Sequence, residues 1–78
     1  SKAQFGATLT VIDVDTDKTH TYALVGPDEA DIDRGLISIT SPLGRAMLGK
    51  EAGDEVKFVA PGGTRIYEVD KVEYKTIA

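Results

Sequence analysis

The sequence predicts an α+β domain in which one curved, five-stranded antiparallel sheet wraps around a single short helix. Three observations carry this. Apolar and β-branched residues fall into five short runs separated by Gly, Pro and Asp, the pattern of strands between tight turns. One stretch alone, Ser41-Pro42-Leu43-Gly44-Arg45-Ala46-Met47-Leu48-Gly49, carries both start and stop signals of a helix. Most connections between the runs are short enough for hairpins, which favours antiparallel pairing.

The elements follow in order. Residues 1–5 read as a linker or tail, and 6–78 as the domain. Gly6 opens a strand over Ala7 to Val14, rich in Thr, Val and Ile. Asp15-Thr16-Asp17-Lys18 is a polar turn, and Thr19 to Val25 returns as a second strand with Tyr22 and Leu24 on one face. Gly26-Pro27 ends it. Asp28 to Arg34 is an acidic loop with room for one helical turn, and its acids Asp28, Glu29, Asp31 and Asp33 read as a solvated face. Leu36 to Ile39 is a short strand that delivers the chain to the helix.

In the helix, Ser41 suits the N-cap, where its hydroxyl can accept from a free N–H of the first turn. Pro42 suits the first helical position, which needs no N–H. Gly49 suits the residue past the end, where a left-handed backbone costs a glycine little. Leu43, Ala46 and Met47 make one apolar stripe at i, i+3, i+4. Two turns of helix do not stand alone in water, so that stripe must be packed on the strands. Beyond the Gly53-Asp54 turn, Glu55 to Ala60 alternates, with Val56, Phe58 and Ala60 on one face. Pro61-Gly62-Gly63 is a hairpin signal, with Pro at i+1 and Gly at the position of positive φ. The last strand, Thr64 to Tyr74, is apolar at Tyr67 and Val69 and then at Val72 and Tyr74. The step from 69 to 72 breaks the period of two, and a β-bulge at Asp70 or Lys71 restores it.

Size and charge narrow the function. Seventy-eight residues make one small domain. The chain has no cysteine, so a disulfide framework and a thiolate metal site are excluded; this suits a reducing cytoplasm. No apolar run is long enough to span a bilayer as a helix. The net charge is -4 and the Lys and Arg residues are scattered singly, which argues against direct nucleic-acid binding.

Four motifs suggest chemistry and then fail. Gly44 to Lys50 spells G-x-x-x-x-G-K, but Glu51 stands where a phosphate-binding loop needs Ser or Thr, and the intervening residues are helix formers. Asp28-Glu29-Ala30-Asp31 spells a helicase signature in a chain far too short for a helicase core. Asp13, Asp15 and Asp17 start like a calcium loop, but Lys18 replaces the next glycine and Leu24 the twelfth-position glutamate. His20, the lone histidine, could act as a base only beside a nucleophile. Ser41 is the one candidate, without a G-x-S-x-G context and already explained as a cap. No catalytic constellation and no cofactor site emerges. What remains is the Ser41-Pro42 corner, which suits a protein contact or simply starts the helix.

The chain resembles the C-terminal domain of the bacterial Gre transcript-cleavage factors. The residues that carry the resemblance are Phe5 to Val11, Val25-Gly26-Pro27-Asp28-Glu29-Ala30-Asp31, Ile37 to Lys50, Gly53-Asp54-Glu55-Val56, Ala60-Pro61-Gly62-Gly63 and Val69 to Tyr74. The stand-alone regulator of nucleoside diphosphate kinase and the anti-Gre factors carry a similar domain. The resemblance implies an FKBP-like fold. It also implies a partner, RNA polymerase, met on the β′ coiled coil at the rim of the secondary channel. Carried over by position, the contact corner is Thr40, Ser41 and Pro42. Some members have Asp where this chain has Thr40, so a hydroxyl hydrogen bond would stand there in place of charge. The metal-placing carboxylates of the family lie on an N-terminal coiled coil, for which residues 1–5 are too short. The expectation is therefore a polymerase anchor that is not itself an enzyme, or alternatively a stand-alone channel blocker. A prolyl isomerase of the same fold needs an aromatic-lined pocket, and this chain has no Trp, two Phe and three Tyr.

Overall fold

The computed structural model describes residues 2–74. Five strands, β1 (Thr8–Asp13), β2 (Thr19–Val25), β3 (Leu36–Ser38), β4 (Glu55–Ala60) and β5 (Gly63–Glu73), and one helix, α1 (Pro42–Met47), make the fold. The strands form one sheet in the order β3-β2-β1-β5-β4. α1 packs against β4 and β3, which are the two outermost strands. A six-residue helix can touch both edges only if the sheet curls until they face each other across it. The curled sheet around one short helix is the predicted architecture.

One pairing departs from the antiparallel expectation. β1 pairs antiparallel with β2 and with β5, and β4 with β5, but β3 runs parallel to β2, with Leu24 opposite Ile37. The sheet is therefore mixed. The reason lies in residues 26–35, which are a crossover rather than a hairpin. Two 3-10 turns, Pro27–Glu29 and Ile32–Arg34, carry the acidic loop back along the sheet before β3 begins. Asp31 caps the second turn by accepting the Asp33 N–H, and Asp31 and Leu36 exchange both backbone hydrogen bonds. Gly35 holds φ +76, and a Cβ there would lie 2.8 Å from the Thr21 carbonyl oxygen.

The bulge is present. Thr10 pairs with Lys71 and Val11 with Val69, so Asp70 is the extra residue. It returns Val69 and Val72 to the inner face, where Val69 is buried and Val72 packs against the core. The hairpin between β4 and β5 has Pro61 and Gly62 as its loop, and its positive φ falls on Gly63.

The core sits on the concave face. Leu9, Val11, Leu24, Met47, Val56 and Val69 are its largest fully buried side chains, with Leu43 and Ala46 of the helix stripe packed against it. Burying Met47 alone contributes about 2 kcal/mol. β1 continues its inward alternation through Leu9 and Val11 to Asp13, which is also buried.

Residues 2–4, read from sequence as part of a tail, lie on the domain as an extended strap. Ala3 is fully buried. Its N–H donates to the Lys50 carbonyl and its own carbonyl accepts from the Gly49 N–H. Lys2 and Gln4 face the other way, as alternation in an extended chain requires. The Tyr74 hydroxyl donates to the Lys2 carbonyl at 2.5 Å and accepts from the Gln4 N–H at 3.0 Å.

Candidate functional site: the corner between β3 and the helix

The chain leaves β3 at Ser38 and must turn within three residues to start α1. Two serines make that turn. The Ser41 hydroxyl accepts from the Gly44 N–H at 3.0 Å, as an N-cap should, and donates to the Ser38 carbonyl at 2.7 Å. The Ser41 N–H donates to the same carbonyl at 3.1 Å. The Ser38 hydroxyl accepts from the Thr40 N–H at 3.1 Å and lies 2.7 Å from the Thr40 hydroxyl. Thr40 and Pro42 are left exposed and Ser41 is half-buried between them. Gly44 allows this geometry, because a Cβ there would lie 1.9 Å from the Ser38 carbonyl oxygen.

Beside the corner, the gap between the edges of β3 and β4 opens as an apolar groove of about 390 Å³. Ile37, Leu43 and Phe58 line it, Ser41 and Pro42 form part of its wall, and Asp31 of the acidic loop stands in its rim. Exposed Ile32 and Val59 also line it, at 62% and 73% exposure. These side chains leave apolar surface open to solvent beside the groove. The acids Asp28, Glu29 and Asp33 are exposed on the adjoining loop and give that side of the groove a negative field.

The other sequence motifs resolve into structure. The Gly44 N–H is spent on Ser41, the Gly49 N–H on Ala3 and the Lys50 N–H on Met47, so these amides of the apparent phosphate loop do not face a ligand. Asp13 does not share an open face with Asp15 and Asp17. It is buried, and its carboxylate accepts from the Asp15 N–H at 2.9 Å and the Thr16 N–H at 3.3 Å, with Arg65 at 3.5 Å. The Asp15 N–H bond, chiefly, holds its pKa below the usual carboxylate range against the opposing effect of burial. Asp13 thus organises the β1–β2 turn, in which Asp17 takes φ +64. Among the described residues no group of three or more His, Cys, Asp or Glu could hold a metal ion. His20 stacks on Tyr22 at a centroid distance of 5.7 Å and lies tilted against Tyr67 at 5.6 Å, and no hydrogen bond joins it to Ser41 among the described residues. Burial, first, and the neighbouring Tyr67 phenol push the Tyr22 pKa up to about 12.

The Gre-type expectation meets direct comparison here. The family model of the transcription elongation factor GreA/GreB C-terminal region matches residues 1–74. The chain belongs to the GreA/GreB family. It is 59% identical over 75 residues to transcription elongation factor GreA of Hyphomonas neptunium, covering 96% of this chain and 48% of that protein. Against GreA of Vibrio cholerae it is 55% identical over 73 residues, covering 94% and 46%. Among solved structures, GreA factor homolog 1 of Thermus thermophilus superposes with a TM-score of 0.83 at 28% identity, over 94% of this chain and 49% of that one. A GreA/GreB factor of Nitrosomonas europaea superposes with a TM-score of 0.76 at 29% identity, over 92% and 60%. The chain thus spans about half the length of the curated relatives it matches.

Sequence reasoning found the corner but not the groove beside it, nor the part played by Ser38. The groove arises from two strand edges distant in sequence, which no local pattern reveals. Ser38 carries a weak signal: a serine two residues before Thr and three before the cap, at spacings where hydroxyls bond the local backbone.

Proposed function

We propose that this chain is the polymerase-docking domain of a Gre-type elongation factor. It anchors on the β′ coiled coil at the rim of the secondary channel of cytoplasmic RNA polymerase through Thr40, Ser41 and Pro42. In that role it positions an N-terminal coiled coil of the kind the family carries, and that coiled coil stimulates transcript cleavage by the polymerase itself. The chain is an anchor and not the enzyme. The observation that carries this reading is the preformed corner, hydrogen-bonded at every turn and set beside an open apolar groove with an acidic rim. Such a surface needs little reorganisation to bind. An acidic rim favours a partner that presents basic side chains around an apolar anchor.

The rival isomerase reading draws less support, since Phe58 is the one aromatic side chain among the described residues that line the groove. The stand-alone channel blocker has no separate observation in its favour, and the 59% identity to a GreA protein supports the elongation-factor reading.

Binding of the chain to core RNA polymerase, and to the isolated coiled coil, tests the reading. Pro42→Arg changes an exposed residue at a helix position that tolerates Arg. It should weaken binding about tenfold or more, the effect of losing a contact at the centre of an interface. Binding that is undiminished refutes the assigned surface.

A further inference from the structure

We infer that Ser38 is a positioning residue of the docking corner: its hydroxyl aims the Thr40 hydroxyl at the partner, and Thr40 is the corner's hydrogen-bonding contact. This rests on the docking reading above and divides the labour among the corner residues.

The division follows from counting donors and acceptors. A serine hydroxyl has one proton to give and two lone pairs to accept with. Ser41 gives its proton to the Ser38 carbonyl and accepts from the Gly44 N–H. It has no proton left for a partner and is half-buried. Pro42 has no side-chain polar atom and offers apolar contact only. Thr40 is exposed, and among the described residues its hydroxyl has a single partner, the Ser38 hydroxyl at 2.7 Å. Two of its three hydrogen-bonding capacities are left open among the described residues.

An exposed threonine is otherwise free to rotate about χ1, and fixing a side chain on binding costs free energy. Ser38 removes that freedom beforehand. Its hydroxyl holds Thr40 at two points, the backbone N–H at 3.1 Å and the hydroxyl at 2.7 Å. Ser38 is itself fixed. It closes β3 in register with Val25 of β2, and its carbonyl is held by both the N–H and the hydroxyl of Ser41. The path from sheet to contact is therefore short and rigid: Val25, Ser38, Thr40, partner.

The test is a double-mutant cycle read by equilibrium binding to core RNA polymerase, with melting temperatures in parallel. Thr40→Ala, at an exposed position, should weaken binding about threefold to tenfold, the worth of one hydrogen bond. Ser38→Ala should weaken it similarly. The double variant should bind no more weakly than Thr40→Ala alone, because Ser38 has nothing left to aim. Ser38→Thr keeps the hydroxyl and should restore binding. A purely structural Ser38 would lower the melting temperature without this non-additivity.

Thr40→Ala binding as tightly as the parent chain overturns the proposal, whatever the folding of the Ser38 variants. So does an additive cycle, or Ser38→Ala that melts lower but binds equally well. If the parent chain itself does not bind, the docking reading falls and takes this inference with it. If the parent binds and only the cycle fails, docking stands and Ser38 has no positioning role.

Discussion

Replacing Gly44 with alanine should be among the most damaging single-methyl changes available to this chain. A Cβ at residue 44 would lie 1.9 Å from the Ser38 carbonyl oxygen, 2.8 Å from its carbon and 3.0 Å from the Ile39 Cα. All three are backbone atoms, so no rotamer change relieves the contact. Restoring ordinary van der Waals separation means moving α1 away from the end of β3 by roughly 1.5 Å. That displacement strains the Ser41 bonds to the Ser38 carbonyl and lifts Leu43 and Met47 from the core. Overpacking of this kind costs about 3 kcal/mol when the neighbour cannot give. Alanine recovers about 1 kcal/mol through its better helix propensity. The net loss is about 2 kcal/mol or more, which in a domain of this size lowers the melting temperature by about 10 °C or more. Thermal unfolding followed by circular dichroism measures it. A melting temperature equal to or above that of the parent chain would show that α1 does not seat on the Ser38 carbonyl, and would refute the geometry of the corner.

Two further predictions concern pH. Asp13 has a folded-state pKa below the usual range, so the unfolded chain binds the proton more readily. Its contribution is present above about pH 4 and is lost as pH falls through the lower folded value; Asp13→Asn should flatten the acid limb of the stability profile measured by urea unfolding, and an unchanged limb sinks the assignment. Tyr22 has its pKa raised to about 12, so the folded chain holds the proton that the unfolded one releases near pH 10. Stability therefore falls as pH rises between these values, and Tyr22→Phe should make the alkaline loss shallower; phenolate absorbance should show a late-titrating component in the parent chain that the variant loses.

What the sequence discloses depends on how local the cause is. The bounds of β2 and β4 coincide with their apolar runs, because alternation and flanking turn residues are local signals. The helix caps are legible for the same reason: Ser41 accepts from Gly44 and Gly49 takes φ +81. The bulge is legible because a phase slip is visible in a single strand. The parallel pairing of β2 and β3 is not, since the residues of the acidic loop give no sign that two 3-10 turns reverse the path. The burial of Asp13 is a tertiary fact. It follows the inward phase of Leu9 and Val11, yet a carboxylate beside a polar turn reads as solvated until the Asp15 and Thr16 amides are seen to satisfy it. The strap at Ala3 is hidden for a different reason. One buried alanine leaves no periodic trace, and its partners Gly49, Lys50 and Tyr74 lie far along the chain.

These unreadable contacts explain how so short a helix can present a binding surface. A six-residue helix contributes little order of its own. Here it is fixed from outside at both ends. The Ser38 carbonyl seats its N-terminus through Ser41, and Ala3 joins its C-terminal turn through Gly49 and Lys50. Its inner face adds Met47 to the core between two strand edges that would otherwise splay. The corner at Thr40 and Pro42 is thus stiff because the helix is a bridge, held at one end by the N–H and hydroxyl of Ser41 on the Ser38 carbonyl and at the other by backbone hydrogen bonds to Ala3. The groove opens at the N-terminal end of this bridge, where Ser41, Pro42 and Leu43 line it together with Ile37 of β3 and Phe58 of β4.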